Sequence, residues 1–326
     1  MVRSARQRLL AFLAQLALAA LIACALAWLG QNVLDNMRER GIRAGFDFLV
    51  EPAGFDIGEG PLAFEASQPL WRAFLAGTLN TLRVGLPAML LASALGLLIG
   101  LGRLAQHPVP RRICDALVET LRNIPLLLQL LMCYFALASL LPDASHALAP
   151  APGVLLSQSG LFLPAWRCED SCGWSWPRVD GFGIDGGWAL TPEYMAVLIA
   201  LSLYTAVFIA EIVRGGIQSV SRGQIDAARS IGLRPAQVLR HVVLPLALRA
   251  IVPPLGNQYL NLIKNSSLAV AVGYPDLVSV ANTSLNQTGR AFECIVIVMA
   301  VYLSLSLLTA LLVNTFNARV ALRGSP

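Results

Sequence analysis

Charge is scarce in this chain. Asp, Glu, Lys and Arg together make up 13% of its 326 residues, against about a quarter in a soluble domain. Lysine is nearly missing, with Lys264 the single example. It has no G-x-x-x-x-G-K context, so the chain carries no phosphate-binding loop and is not its own P-loop ATPase. The three histidines, His107, His146 and His241, lie far apart and outside any H-E-x-x-H, which leaves no metal constellation. Serines are plentiful, but none sits in G-x-S-x-G. These absences remove the common routes to catalysis and to a bound metal or cofactor, and the chain reads as something other than an enzyme.

Apolar residues fill the space that charge vacates, at 56% of the total. Six runs are long enough to cross a bilayer at roughly 20 residues each: about 9–29, 78–102, 117–141, 192–212, 246–268 and 291–316. The first is basic at its start and apolar from Leu9 to Leu29, longer than the 7–15-residue core of a signal peptide, so it is expected to be retained as a helix. The fifth is interrupted by Pro253, Pro254, Asn257, Asn261 and Lys264. Such a segment is tolerable only where it is buried in protein or lines a polar path. No strong internal repeat is visible.

The net charge of +5 comes from arginine, and its placement is topological rather than a sign of nucleic acid. Arg3, Arg6 and Arg8 precede the first run. Arg103, Arg111 and Arg112 follow the second, and Arg214, Arg222, Arg229, Arg234 and Arg240 the fourth. Arg319 and Arg323 lie near the end of the chain. The other loops, about 31–72, 142–191 and 274–290, hold 13 acids against 7 arginines. The positive-inside rule then puts both termini in the cytoplasm, in keeping with an even number of spans. Two outer stretches are long. Residues 31–72 would follow an N-terminal membrane helix, and residues 142–191 would interrupt the domain that fills 73–326. The second stretch is rich in Pro and Trp, and its aromatics suit either a membrane interface or a small cap. Cys168 and Cys172 lie in it, and an extracytoplasmic location would allow a local disulfide.

Polar residues inside the spans are the natural candidates for a solute path. They are Asn257, Asn261, Lys264, Asn265 and Ser266 in the broken fifth run, with Arg83 one turn into the second. Lys264 and Arg83 also have the alternative of snorkelling to an interface. For Arg83 the functional reading is a meeting with a substrate carboxylate. Glu211 stands at a cytoplasmic helix end, where pairing with Arg214 three residues on is the expectation.

The cytoplasmic stretch "GQIDAARSIGLRPAQVLRHVVLPLAL", 223–248, is amphipathic and short. Ile225, Ala227, Ala228 and Ile231 recur at helical spacing. Gly232 follows where a helix ends in a positive-φ residue, and Pro235 suits the first turn of a second short helix. Val238, Leu239 and Val242 form that helix's apolar side, and Pro245 marks entry into the next span. The product is an elbow at the cytoplasmic surface, either resting on lipid or presented to a soluble partner.

Asp226, Ala227, Ala228, Gly232, Val242, Leu244 and Pro245 together resemble the EAA signature of ABC importer permeases, with Asp in place of the more usual Glu. Arg234 stands where Ser or Thr is common in that family. "LRNIPLLLQLLMCYF", "AVFIAEIVRGGIQSVSRGQIDAARSIGL" and "NLIKNSSLAVAVGYPDL" resemble its polar amino-acid branch, and "GIRAGF" and "AGFDIGE" resemble the larger permease subunit of general L-amino-acid importers. The resemblance implies an all-α polytopic membrane protein. Its fold would be the type I ABC importer transmembrane fold, a five-span core plus an N-terminal helix, with a cytoplasmic coupling helix. It implies as partners a second permease subunit in a hetero- or homodimer, two cytoplasmic ATPases that use the ATP, and a periplasmic substrate-binding protein. The setting would be the lipid of a bacterial inner membrane. The cargo would be an L-amino acid of broad range, or more narrowly glutamate, glutamine or another polar amino acid. An ion-coupled carrier and a membrane scaffold that recruits an ATPase are the rival classes.

Overall fold

The structure, a computed structural model, describes residues 5–39, 45–168, 172–181 and 183–322. Its frame is helical. Helix α1 (Ala5–Glu39) precedes α2 (Leu70–Gly102), α3 (Pro108–Asn123) and α4 (Leu126–Leu140). After a β-rich insertion come α5 (Pro192–Gln218), α6 (Arg222–Ser230), α7 (Pro235–Val238), α8 (Leu244–Asn265), α9 (Leu277–Thr288) and α10 (Ala291–Leu322). Among the described residues five helices are long and apolar enough to cross a membrane, or six if α3 and α4 count as one bent span.

The α3–α4 pair departs from the straight third span expected over 117–141, because the chain turns by 106° between the two helices. Pro125 causes the turn. It lacks an N–H and forces Ile124 out of the helical region, to φ −93°, ψ 128°. The carbonyls freed at the end of α3 do not stay orphaned. Gln129, 5% exposed, donates from Nε2 to Leu121 O at 2.7 Å and to Ile124 O at 2.9 Å.

Helices α2 and α5 form the central pair. Lipid gives no hydrophobic drive between helices, so close approach depends on small residues. Gly96 and Gly100, one turn apart on α2, face Ala206, Ile209, Ala210 and Val213 of α5. Ala196, Ala200, Leu201, Val84, Ala88 and Ala92 fill the rest of the contact, and α4 and α8 close on its flanks.

A second core forms where residues 45–69 wrap the start of α2. Phe48, Ile57 and Phe64 pack with Leu70, Phe74, Leu277, Val280 and Cys294. Two isolated bridges, Pro52 to Pro69 and Ile57 to Phe64, hold this strap in shape. In contrast α1 is open: Leu21 is 68% and Trp28 62% exposed, as a lipid-facing helix would be.

The 142–191 stretch, whose shape the sequence left open, folds as β structure beside the helical frame. A four-stranded antiparallel sheet has the order β1 (Leu148–Ala151), β2 (Val154–Ser157), β3 (Gly160–Leu163), β8 (Trp188–Leu190). Two hairpins project from it, β4 (Ala165–Cys168) with β5 (Cys172–Ser175), and β6 (Arg178–Asp180) with β7 (Gly183–Asp185). The register of the first sets Trp166 against Trp174 and the backbone of Cys168 against that of Cys172, and Cys172 is disulfide-bonded.

A Cβ at Gly96 would lie 2.6 Å from Ile209 Cβ and 2.9 Å from the Ala206 carbonyl, whereas one at Gly85 meets nothing within 4 Å. Gly96→Val is therefore expected to cost about 1–3 kcal/mol, seen as a lower thermal unfolding midpoint in detergent. Gly85→Ala is expected to leave the midpoint in place. Equal midpoints for Gly96→Val and wild type would contradict this packing.

Candidate functional site

The elbow is held by local chemistry. Ser221 caps α6, accepting from Gln224 N at 3.4 Å. At the other end Gly232 adopts φ +85°. Its N–H donates to Arg229 O at 2.9 Å, and Leu233 N donates to Ala228 O at 3.2 Å. This is a Schellman closure, with glycine where an L side chain is strained. The α7 start lacks the Ser or Thr common before Pro235, and Gln237 compensates by accepting from Arg234 N at 2.9 Å. A π-helical turn, Leu239–Val243, then joins α7 to α8 without a break.

The elbow's faces divide differently from the sequence stripe. Ala228 and Val238 are buried, and Ile225 packs on the main core. Ala227 and Asp226 point outward, and Ile231 is 77% exposed. Val242 is half-buried, and Leu244 and Pro245 are exposed. Asp226 pairs only loosely with Arg229, at 3.9 Å between two exposed side chains, an arrangement that contributes little stability.

Near the elbow an ion-pair knot ties the end of α2 to α3 and α5. Arg103, just past α2, donates to Asp115 of α3 at 2.7 Å and also pairs with Glu211 of α5. Glu211 takes Arg214 as well, the expected i,i+3 partner, and Arg111 approaches Asp115 at 3.8 Å. The Arg103 side chain is 12% exposed, so removing either carboxylate would leave a partly buried charge short of a partner. The contribution of Arg103 was not evident from the sequence, because its partners are 12 and 108 positions away.

Of the polar residues singled out in the broken span, the structure brings two, Asn261 and Asn265, into a polar cavity. Asn261 lines a cavity of about 270 Å³ with Gln258, Asn265, Tyr204, Thr205 and Phe208. Asn257 and Lys264 share the exposed side of α8 but do not line it. Ser266 is fully buried and donates to Ile263 O at 2.7 Å, which spends its hydroxyl on the backbone. Gln258, Tyr204 and Thr205 escaped the sequence reading. The signal for them is a hydroxyl pair within an otherwise apolar run of α5, opposite amides of α8.

Arg83 lies apart from that cavity. It pairs with Glu59 of the strap at 3.0 Å and stacks on Trp188 and Tyr194, its guanidinium carbon 5.7 and 4.8 Å from the ring centres. Beside it Asn80 donates to Glu59 O and to Pro275 O, both at 2.9 Å, and Tyr274 donates its hydroxyl to Asn80 O at 3.0 Å. Asp276 caps α9, accepting from Ser279 N at 2.8 Å, yet it is fully buried.

With this geometry in view, the chain is a polytopic helical membrane protein carrying a helical elbow on its arginine-rich side. Residues 73–322 match the family model "Binding-protein-dependent transport system inner membrane component", and the chain belongs to that family. It is similar to the putative amino-acid ABC transporter permease protein YhdX of Escherichia coli, 38% identical over 90% of each chain. The general L-amino acid transport system permease protein AapQ of Rhizobium johnstonii is 38% identical over 90% of this chain and 88% of that protein. The glutamate/glutamine/aspartate/asparagine transport system permease protein BztB of Rhodobacter capsulatus is 34% identical over 95% and 93%. Among solved structures, an amino acid ABC transporter crystallised with histidines aligns at a TM-score of 0.58 and 26% identity, over 76% of this chain and 94% of that one.

Burial pushes the Asp276 carboxyl up to about 7 from an ordinary 3.8, although backbone N–H groups pull it the other way. A carboxyl whose native pKa is raised stabilises the fold below its unfolded pKa, and that contribution is lost as pH rises through the native one. Raising pH from 4 to 7 is therefore expected to lower the wild-type unfolding midpoint more than that of Asp276→Asn, which keeps the cap without the charge. Parallel pH profiles would refute the assignment.

Proposed function

We propose that this chain is the permease subunit of an ATP-driven importer that moves L-amino acids of broad range across a bacterial inner membrane, with both termini in the cytoplasm. The observation that carries the reading is the elbow. It is a preformed, outward-facing helical turn on the arginine-rich side of a chain that has no nucleotide-binding loop of its own. A soluble ATPase must then supply the energy, and the elbow is the part it can grip.

In this reading two ATPases bind below, one to this chain and one to a second permease subunit, and a periplasmic binding protein delivers cargo above. Asp226, Ala227 and Ile231 meet the ATPase groove, while Ala228 and Val238 keep the elbow one piece. Gly232 sets its turn, and Val242, Leu244 and Pro245 pass its motion into α8. The Arg103–Glu211–Arg214 knot fixes the α5 end from which the elbow hangs, so both adjoining spans move together. ATP binding and the binding protein each favour a different one of two conformations. The polar cavity around Asn261, between α5 and α8, gives a zwitterion hydrogen-bonding partners inside the membrane. Asn257 and Lys264 lie beside it on α8. Cys168 is the proposed partner of Cys172, closing the β4–β5 hairpin on the oxidising side.

YhdX, AapQ and BztB are all named for amino-acid transport. An uptake panel separates the broad range from the narrower glutamate/glutamine alternative.

Two substitutions test the reading in the reconstituted complex. Gly232→Val forces a β-branched residue to φ +85°, at a cost on the order of 1–2 kcal/mol or more. It is expected to cut binding-protein-stimulated ATP hydrolysis at least tenfold while the chain still inserts, with Gly232→Asn milder. Wild-type coupling in the valine variant would defeat the coupling role. Asn261→Leu is expected to slow uptake at least fivefold with ATPase assembly intact, and unchanged uptake would remove Asn261 from the path.

A further inference from the structure

The Arg83 cluster serves neither the elbow nor the polar cavity, and its construction is specific. The Arg83 side chain is 14% exposed, and its guanidinium lies against the faces of Trp188 and Tyr194, where cation–π attraction holds its plane. Glu59 meets it through one contact, Oε1 to Nη1 at 3.0 Å, while its Oε2 accepts from Thr191 Oγ1 at 2.5 Å. An arginine fork matches a carboxylate with two parallel bonds, so this pairing uses less than the fork offers.

Position along the helix places the cluster. Arg83 lies about 20 Å in from Leu70 and about 28 Å from Gly102 at the helical rise, with the cytoplasmic knot just beyond Gly102. A hydrocarbon layer of about 30 Å therefore sets Arg83 at the outer membrane edge, level with the start of α5. Thr205, which lines the polar cavity, sits three turns further down α5 on the same face as Tyr194, about 16 Å away at that rise. The two sites are stacked along one helix.

We propose that the Arg83 box is a carboxylate-recognition site at the outer mouth, occupied in this conformation by Glu59, and that the α-carboxylate of an incoming amino acid exchanges with Glu59 there. The proposal rests on the amino-acid import reading above. Three features suit Glu59 to exchange. It rides on the short loop between the bridged residues Ile57 and Phe64, so its departure breaks no sheet. Its backbone stays pinned, because Asn80 Nδ2 holds the Glu59 carbonyl at 2.9 Å, and only the side chain must swing. Burial raises its carboxyl above the usual range, against the opposing pull of the Thr191 hydroxyl and the Arg83 cation, with the nearby Glu193 carboxylate adding to the rise. With Glu59 displaced, Arg83 would be a largely buried cation short of its paired carboxylate, an arrangement costly enough to favour a replacement anion.

The test uses the assembled transporter in nanodiscs without binding protein, titrated calorimetrically with L-glutamine. The control is 4-aminobutanamide, which has the same side chain and amine but no carboxylate. Glu59→Gln keeps the shape and the Thr191 bond. It is expected to tighten L-glutamine binding at least tenfold over wild type and to leave the amine unchanged, and adding Arg83→Gln is expected to abolish the gain. Where Arg83→Gln fails to assemble, Arg83→Lys replaces it, and its compact ammonium is expected to cut the gain at least threefold. The proposal is overturned if Glu59→Gln binds L-glutamine within twofold of wild type, or if the gain survives the Arg83 change. ATP-driven uptake by the wild-type complex with its binding protein separates the two levels. No uptake of any L-amino acid defeats the import reading itself, whereas normal uptake with no Glu59 effect defeats the box alone.

Discussion

Gly96 and Gly100 let α2 lie directly against the carbonyls of Ala206 and Ala210 on α5, and the other features hang from that contact. In lipid, packing and geometry must supply what the hydrophobic effect supplies in water. Bare glycines achieve this by bringing two backbones within van der Waals reach. The pair is then a stiff double rod. One end carries the Arg103 knot and the elbow, the other the cluster around Arg83, and the face that α5 turns to α8 the polar cavity.

Stiffness is what a coupling device needs. A displacement at the elbow reaches the far end of the pair only if little of it is absorbed on the way. The chain spends polar residues where a helix would otherwise yield. Gln129 repairs the backbone at the Pro125 turn, Gln237 replaces a missing cap at Arg234, and the Schellman closure at Gly232 fixes the elbow's angle. The knot at Glu211 joins α2, α3 and α5 at one point. Buried polar contacts of this kind are a poor source of net stability, and their placement at helix ends fits a role in holding relative position.

Much of this was legible in the sequence, because the bilayer imposes strong patterns. Span length, arginine placement and the glycine and prolines of the elbow each follow from a local rule. The bend at Pro125 was missed because the apolar run continues unbroken across it, and hydropathy does not register direction. The β insertion was missed because its strands, three or four residues each, are shorter than any periodicity can report. Of the polar candidates, Asn261 faces a cavity while Ser266 is consumed by the backbone. Spacing alone does not separate those outcomes, since the two lie five residues apart in one continuous helical run, Asn261 within α8 and Ser266 just past its end. Arg83 and Arg103 draw their meaning from partners distant in the chain, Glu59 in one case and Glu211 in the other.

The central claim is that elbow and α5 move as one body under the ATPase. Pulsed electron resonance on the reconstituted complex tests it, with spin labels at Ile231 on the elbow and Ile199 on α5, and a second pair at Ile231 and on the sister permease. On ATP binding the account predicts an unchanged distance within this chain and a clear shift between the two permeases. A changed distance from Ile231 to Ile199, with the intersubunit distance constant, would show an elbow that flexes on its own and would contradict the account.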